Sequence, residues 1–148
     1  MTIPRMILMS CVLALGLLSC AVPPQLTLSD IKSTHFYRAD KPSLYDQVRI
    51  FCRKEEYRLE RIEMESGTIL GHKRMTVAGD PGPASGTGAT RQIIMHIRVM
   101  PSAPGELETT VRFTFADYTG TLSKDDEGML VSQYVALFDI LDGAFAGK

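Results

Sequence analysis

Residues 91–115 read RQIIMHIRVMPSAPGELETTVRFTF, and this stretch decides the class of fold. Apolar residues recur at every second position in both of its halves, with polar or charged residues at most of the positions between them. Because successive side chains of a strand point to opposite faces, this alternation predicts two strands, each with one buried face. The predicted strands are Arg91–Met100 and Leu107–Phe115, joined by a turn at residues 101–105. Such a pair is typical of an antiparallel sheet that has one side in water.

Two further strands are predicted upstream, at Tyr57–Met64 and Ile69–Val77, with a turn at Ser66-Gly67. The alternation changes phase between Leu59 and Ile62, which predicts either a bulge or a strand that starts late. Residues 78–89 are rich in Gly, Pro and Ser and poor in apolar groups. We predict that they form a mobile hairpin tip.

A helix is predicted on each side of the strands. The first, Ser43–Glu55, begins with Ser43 followed three residues later by Asp46, which resembles a capping box. The second, Asp126–Phe145, carries a continuous apolar stripe and begins with three acidic residues, which the helix dipole favours. Residues 43–148 are therefore predicted to form one α+β domain of order α-β-β-β-β-α. It would be a four-stranded antiparallel meander with both helices packed on one face.

The N-terminus has the features of an export signal. Arg5 precedes an uncharged and almost wholly apolar run of 13 residues, Met6–Leu18. This length suits a signal peptide, whereas a membrane-spanning helix needs roughly 20 apolar residues. The run ends in Leu17-Leu18-Ser19-Cys20, which resembles the lipobox of bacterial lipoproteins.

The lipobox resemblance implies a processing route and a location. Residues 1–19 would be a signal peptide that is cut between Ser19 and Cys20, and the thiol of Cys20 would carry the lipid. Ala21 after the cysteine implies the outer membrane, facing the periplasm, while the inner membrane and the cell surface stay open. A soluble secreted protein is the alternative. Residues 20–42, which contain three prolines, are predicted to be the lipidated cysteine and a tether.

Two features of this tether are left open. Leu26, Leu28 and Ile31 alternate imperfectly, so a short added strand is possible here. The segment His35–Tyr37 either packs on the domain or stays free.

The domain itself resembles the helix-grip envelope lipoproteins, which include the accessory lipoprotein of the outer-membrane barrel-assembly machinery. The matching features are Tyr57-x-Leu59 after the first helix, the Ser66-Gly67 turn and the long final helix. The resemblance implies the fold and a scaffold role, and it transfers no functional residues.

The chain offers little chemistry outside Cys20. Once Cys11 has left with the signal and Cys20 carries lipid, Cys52 is the last cysteine, and its helical spacing indicates a core position. His35, His72 and His96 lack metal-ligand spacing, although His72 and His96 can lie near each other on the exposed sheet face. Gly-Thr-Gly in the glycine-rich segment lacks the strand, helix and lysine of a phosphate loop. We therefore predict no catalytic residue, no metal and no cofactor. The net charge of −1 argues against a nucleic-acid partner.

These observations predict a non-enzymatic lipoprotein that contacts the membrane through its lipid and binds another envelope protein. The predicted interaction surface comprises the edge strand near Tyr57–Met64 and the exposed sheet face with His96, Arg98 and Arg112; Tyr57 is its candidate residue on the edge strand. The alternative is a small-ligand or lipid-binding module with a pocket between the sheet and the C-terminal helix. The side chains that would line that pocket, or else form the core, are Met95, Met100, Met129, Phe113, Phe115, Tyr134 and Phe138.

Overall fold

The computed structural model describes residues 26–77 and 89–146, and the signal peptide, Cys20 and most of the predicted hairpin tip lie outside these ranges. The described residues form an α+β fold, one antiparallel sheet with two helices. The elements in chain order are a 3-10 turn at Leu28–Asp30, β1 (Thr34–Arg38), α1 (Lys41–Lys54), β2 (Arg58–Glu63), β3 (Thr68–Val77), β4 (Ala89–Ala103), β5 (Glu106–Phe115) and α2 (Lys124–Phe145).

The sheet has five strands in the order β1-β5-β4-β3-β2. Strands β2 to β5 are neighbours in chain order, so the predicted meander is confirmed. The predicted number of four strands is wrong, because β1 adds antiparallel to β5, with Thr34 opposite Thr110 and Arg38 opposite Glu106. Strand β4 also continues into the predicted 101–105 turn and ends at Ala103.

The phase change in β2 corresponds to a β-bulge. The register of β2 against β3 shifts between Leu59, opposite Gly71, and Arg61, opposite Leu70. Glu60 is the extra residue, which explains why the two halves of this strand alternate in opposite phase.

Both helices pack on the same face of the sheet. The Phe113 ring of β5 lies 6.2 Å from the ring of Phe51 in α1 and 4.8 Å from that of Tyr134 in α2. The core between these layers also contains Ile93, Met95, Ile97 and Val99 of β4, which are buried. We call this side the inner face of the sheet and the opposite side the outer face.

The helix starts follow ordinary capping chemistry. Asp40 caps α1, and its side chain accepts a hydrogen bond of 2.7 Å from the backbone N–H of Ser43. The predicted Ser43 cap is therefore wrong by one turn, since Asp40 offers the carboxylate that the free N–H groups need. Ser123 caps α2 by accepting from the N–H of Asp126 at 3.1 Å.

The segment before α1 belongs to the fold, so the prediction that residues 20–42 are a tether is wrong for its second half. The backbone N–H of Leu28 donates to Oε1 of Glu127 at 2.8 Å, and Leu28 and Ile31 pack against the core. In β1 the Tyr37 ring is buried, and its hydroxyl donates to Oδ1 of Asp142 at 2.8 Å. Both questions left open are thus answered: residues 28–30 form a 3-10 turn, and residues 35–37 pack on the domain within a strand.

Helix α2 is the one helix in residues 26–77 and 89–146 that is long and apolar enough to cross a membrane by length and composition. Its apolar stripe, which includes Leu130, Leu137 and Leu141, is buried in the core of the domain.

Candidate functional site

The outer face of the sheet is the main candidate surface, because both helices lie on the other side. Residues paired across an antiparallel sheet share a face, so the register identifies its members. On the three central strands these are Thr68, Leu70, His72 and Arg74 of β3, Gln92, Ile94, His96, Arg98 and Met100 of β4, and Glu106, Glu108, Thr110, Arg112 and Thr114 of β5.

Two of the predicted interaction residues, Arg98 and Arg112, lie on this face and are exposed. Arg112 is paired with His96, and Arg98 is paired with Thr110. His72 lies diagonally from His96, since its own partner is Ile94 and that of His96 is Leu70. The structure therefore places the two histidines on one exposed face, as predicted.

Tyr57 lies elsewhere, and the prediction that it belongs to an exposed interaction surface is wrong. Only 7% of the residue is exposed, because its ring stacks on Phe51 at 5.4 Å in the core. Its hydroxyl donates to Oε1 of Gln133 at 3.1 Å, and the ammonium group of Lys73 lies 5.7 Å from the ring centre. Burial raises the pKa of the Tyr57 hydroxyl far above its ordinary value.

Strand β2 is an edge strand, as predicted, but its chemistry discourages the addition of another strand. The bulge at Glu60 interrupts its free edge, and charged residues occupy most of its positions. Bulges and charges are the usual devices by which proteins block edge-to-edge pairing. The outer face is thus a better candidate than the β2 edge.

Three arginines of the outer face, Arg58, Arg74 and Arg112, form what we call the arginine frame. No carboxylate oxygen lies within 4.0 Å of any of them in residues 26–77 and 89–146. Arg58 is opposite His72, and Arg74 is opposite Gln92. Neither Arg58 nor Arg74 was predicted from the sequence as a residue of this surface. Arg74 follows the alternation of β3 and could have been assigned to the outer face. Arg58 could not, because its face depends on the position of the bulge.

His72 lies within the frame with one nitrogen incompletely satisfied. Its Nδ1 is 2.8 Å from Oε1 of Glu60, but the groups are not aligned as a hydrogen bond, and this buried nitrogen has no other partner in the described chain. An open and polar depression of about 660 Å³ is lined by Arg58, Leu59, Glu60, His72, Arg74 and Gln92. An anionic group entering it would meet donors on several sides.

Beside this polar depression lies an apolar one of about 510 Å³. Leu70 and Ile94 form its floor with Thr114, and the ring of Tyr118, which is 53% exposed, stands at its end. His96 and Arg112 complete the lining. Apolar side chains surrounded by charged groups are the pattern of a protein-binding surface.

The residues expected to line a pocket between the sheet and α2 fill the core instead. Met95, Phe113, Phe115, Tyr134 and Phe138 are buried and belong to one apolar cluster, against which Met129 packs. Met100 lies on the outer face and is exposed. These contacts occupy the space that the alternative ligand pocket needs.

Cys52 is the free cysteine of the described residues, and it is buried. Burial raises the pKa of the Cys52 thiol from 9.0 to about 12, so the nucleophilic thiolate is strongly disfavoured. No group of three or more metal-ligating side chains occurs within the part of the chain that the structure describes. His35 stacks on Phe138 at 3.8 Å and lies 3.9 Å from Asp142, where it helps to hold β1 on α2.

Comparison with known proteins adds little. No protein-family model and no curated protein matches the chain. Among solved structures, a DUF4468 family protein from Bacteroides ovatus is similar at 15% identity, over 74% of this chain and 78% of that chain, with a TM-score of 0.30. A likeness this distant carries no argument, so the case for function depends on the residues of this chain.

Proposed function

We propose that this protein is a membrane-anchored envelope lipoprotein whose domain binds another envelope protein, without catalysis, through the outer face of its sheet. One observation carries the proposal: the described chain leaves this face uncovered, and the face combines unpaired arginines with the exposed apolar depression at Leu70 and Ile94. The inner face, by contrast, is closed by two helices.

The anchor in this proposal depends on the lipobox at residues 17–20. Two or more acyl chains on Cys20 would hold the protein firmly, because each buried CH₂ group contributes about 0.8 kcal/mol. Labelling cells with radioactive palmitate tests this part. We expect label on the wild-type chain and none on Cys20→Ala, and label on both would place the lipid elsewhere.

The binding function is tested by photo-crosslinking in intact cells. A benzophenone amino acid replaces Ile94 or Arg98 on the outer face, and matched control proteins carry it at Ile50 or Val135 on the helices. The control residues are 40% and 38% exposed, so the probe is accessible at these sites.

We expect discrete protein adducts from the two outer-face positions and not from the two helix positions. Mass spectrometry of the adduct identifies the partner. If the helix positions give the same adducts, the outer face is not the binding surface. If all four positions crosslink only to lipid, the protein-binding function is wrong.

A further inference from the structure

We propose that the occupant of the outer face is an acidic segment of the partner protein, with carboxylates bound at the arginine frame and an apolar side chain on Leu70 and Ile94. This inference rests on the proposed function and adds the chemistry of the partner.

The register divides the outer face into two parts with different charge. The row of paired residues Thr68, Arg98 and Thr110 marks the boundary. On the side toward the β4–β5 turn, Glu106 is opposite Arg38 of β1 and Glu108 is opposite Met100 of β4. The opposite part contains the arginine frame with His72 and His96, and its carboxylates are Glu60, 2.8 Å from Nδ1 of His72, and Glu63, which is paired with Arg61 at 3.4 Å. Positive charge thus concentrates around the apolar depression.

The type of cation favours carboxylates as ligands. The outer positions of the strands carry arginine and no lysine. A guanidinium group is planar and offers paired N–H donors that match the two oxygens of a carboxylate, whereas an ammonium group acts as a point charge. The Gln92 amide and the His72 ring lie next to Arg74 and Arg58 and add further polar groups to the depression.

The apolar depression gives the same segment an anchor. Leu70 and Ile94 are half-buried in the middle of the frame, so an apolar side chain placed there would lose contact with water on several sides. Interfaces draw most of their affinity from such central apolar contacts, while the charged rim sets specificity and the rate of association.

A protein is a better occupant of the outer face than an anionic membrane surface. The reason is the charge at the end of the domain that is nearest to the N-terminus of the described chain. The backbone of Leu28 is fixed to Glu127, so an N-terminal anchor brings the first turn of α2 toward the bilayer. At this end Asp30, Asp125 and Glu127 outnumber the neighbouring Lys32 and Lys124, while Asp126 is buried and paired with Arg91 at 3.2 Å. Carboxylates here are repelled by anionic headgroups, which keeps the arginine frame from lying flat on them.

The experiment measures peptide binding by the full lipidated chain in phosphatidylcholine vesicles. The probes are fluorescein-labelled peptides with repeats of Glu-Leu-Glu-Gly, and matched peptides with Gln or Lys in place of Glu. We expect the Glu peptide to bind more tightly than the other two and its affinity to fall as salt is raised, since the ion pairs are exposed.

The variant Arg58→Gln/Arg74→Gln/Arg112→Gln tests the frame. Removal of three exposed guanidinium–carboxylate pairs should weaken the affinity for the Glu peptide about tenfold. The control, Arg49→Gln/Arg53→Gln/Lys54→Gln, loses the same charge from exposed positions of α1, on the other side of the sheet, and should keep its affinity. Thermal unfolding of both variants verifies that they are folded; for a frame variant that unfolds, the single replacements Arg74→Gln and Arg112→Gln are measured instead.

Equal binding of the Glu and Gln peptides, or an equal loss in the control variant, would overturn the inference. The inference would also be overturned if the probe at position 94 gave the same protein adducts in cells when the frame arginines are replaced. The partner would then be a protein that does not depend on carboxylates for binding. Adducts found only on lipid would instead remove the proposed function itself, so the two failures are distinguishable.

Discussion

Tyr57 illustrates how a single residue can lie on the unexpected side of an edge strand. Its place in the predicted edge strand Tyr57–Met64 made it a candidate for the interaction surface, yet the ring stacks on Phe51 and the hydroxyl donates to Gln133 in α2. The residue connects the edge of the sheet with both helices. Its contribution is therefore to stability.

Replacement of Tyr57 by Phe should destabilise the domain by about 1–3 kcal/mol, because the buried side-chain oxygen of Gln133 loses its donor while the ring packing stays. Urea unfolding followed by circular dichroism measures the change. The control is Tyr118→Phe, which alters an exposed ring and should stay within about 0.5 kcal/mol of wild type. Equal effects of the two replacements would show that the Tyr57 hydrogen bond has no net value.

Cys52 provides a pH-dependent prediction at the same scale. Its folded-state pKa of about 12 exceeds the ordinary value of 9.0 because burial disfavours the thiolate. The native Cys52 should therefore stay unmodified by iodoacetamide at pH 8, whereas the urea-unfolded chain reacts, as peptide mass spectrometry can measure.

The same shift fixes the sign of a stability change. A group with a raised folded-state pKa stabilises the fold fully below its unfolded pKa, and this contribution is lost as the pH rises toward the folded value. For Cys52 the loss runs from pH 9 to about pH 12. Burial also raises the pKa of Tyr37 and Tyr57, so unfolding at high pH should be steep. Constant stability from pH 8 to pH 11 would contradict these assignments.

At the scale of elements, the two hairpin turns make a matched pair of predictions. Gly67 and Gly105 both have positive φ, at 72° and 75°. A Cβ atom at Gly67 would lie 1.9 Å from the carbonyl oxygen of Val99, while one at Gly105 would meet nothing within 4 Å. Gly105→Ala should thus lower the free energy of unfolding only by the strain of a left-handed alanine, about 1–2 kcal/mol. Gly67→Ala should lower it clearly more, because the added Cβ also meets the backbone of Val99.

Thermal or urea unfolding of the two alanine variants measures this difference directly. The backbone N–H of Val99 donates to the carbonyl oxygen of Gly67 at 2.7 Å, so the turn cannot move away without losing that bond. Similar losses in both variants would mean that the close approach at Gly67 is easily relaxed.

The elements also show which parts of the fold a sequence can reveal. Strands β4 and β5 are long and alternate regularly, so their pattern identified the class of fold and the inner face. Strand β1 has five residues, of which only Tyr37 is buried, so its pattern is too short to recognise. Its partner residues in β5 lie 68 to 76 positions away in the sequence, and the hydrogen bond from Tyr37 to Asp142 involves an element at the other end of the chain.

For the molecule as a whole, the sequence predicted half of the candidate surface. Arg98 and Arg112 follow from the alternation of β4 and β5 alone. Assigning Arg58 to the outer face requires knowledge of where the bulge in β2 lies. The distance of the frame arginines from carboxylates depends on the register of four strands, which no local sequence pattern encodes. Surface chemistry of this kind emerges only when the strands are in place.

The contact of Leu28 with Glu127 also limits how the molecule sits on a membrane. If Cys20 carries the lipid, seven residues separate it from Leu28, and a chain of seven residues reaches at most about 25 Å. The end of the domain with Glu127 must then lie close to the bilayer. The β4–β5 turn lies at the far end of β5, roughly 30 Å away for a strand of this length.

This orientation can be measured with nitroxide labels on Thr121→Cys, near the start of α2, and on Ser102→Cys, in the β4–β5 hairpin. Cys52 is buried, so labelling in the native state is confined to the new cysteine. In vesicles that contain nickel-chelating lipid, the label at position 121 should relax faster than the label at position 102, since it lies nearer the headgroups. A flexible Gly-Ser insertion after Pro24 should reduce the difference, because a longer spacer frees the domain to rotate. Equal relaxation at both sites without the insertion would mean that the domain is not held by a spacer of this length.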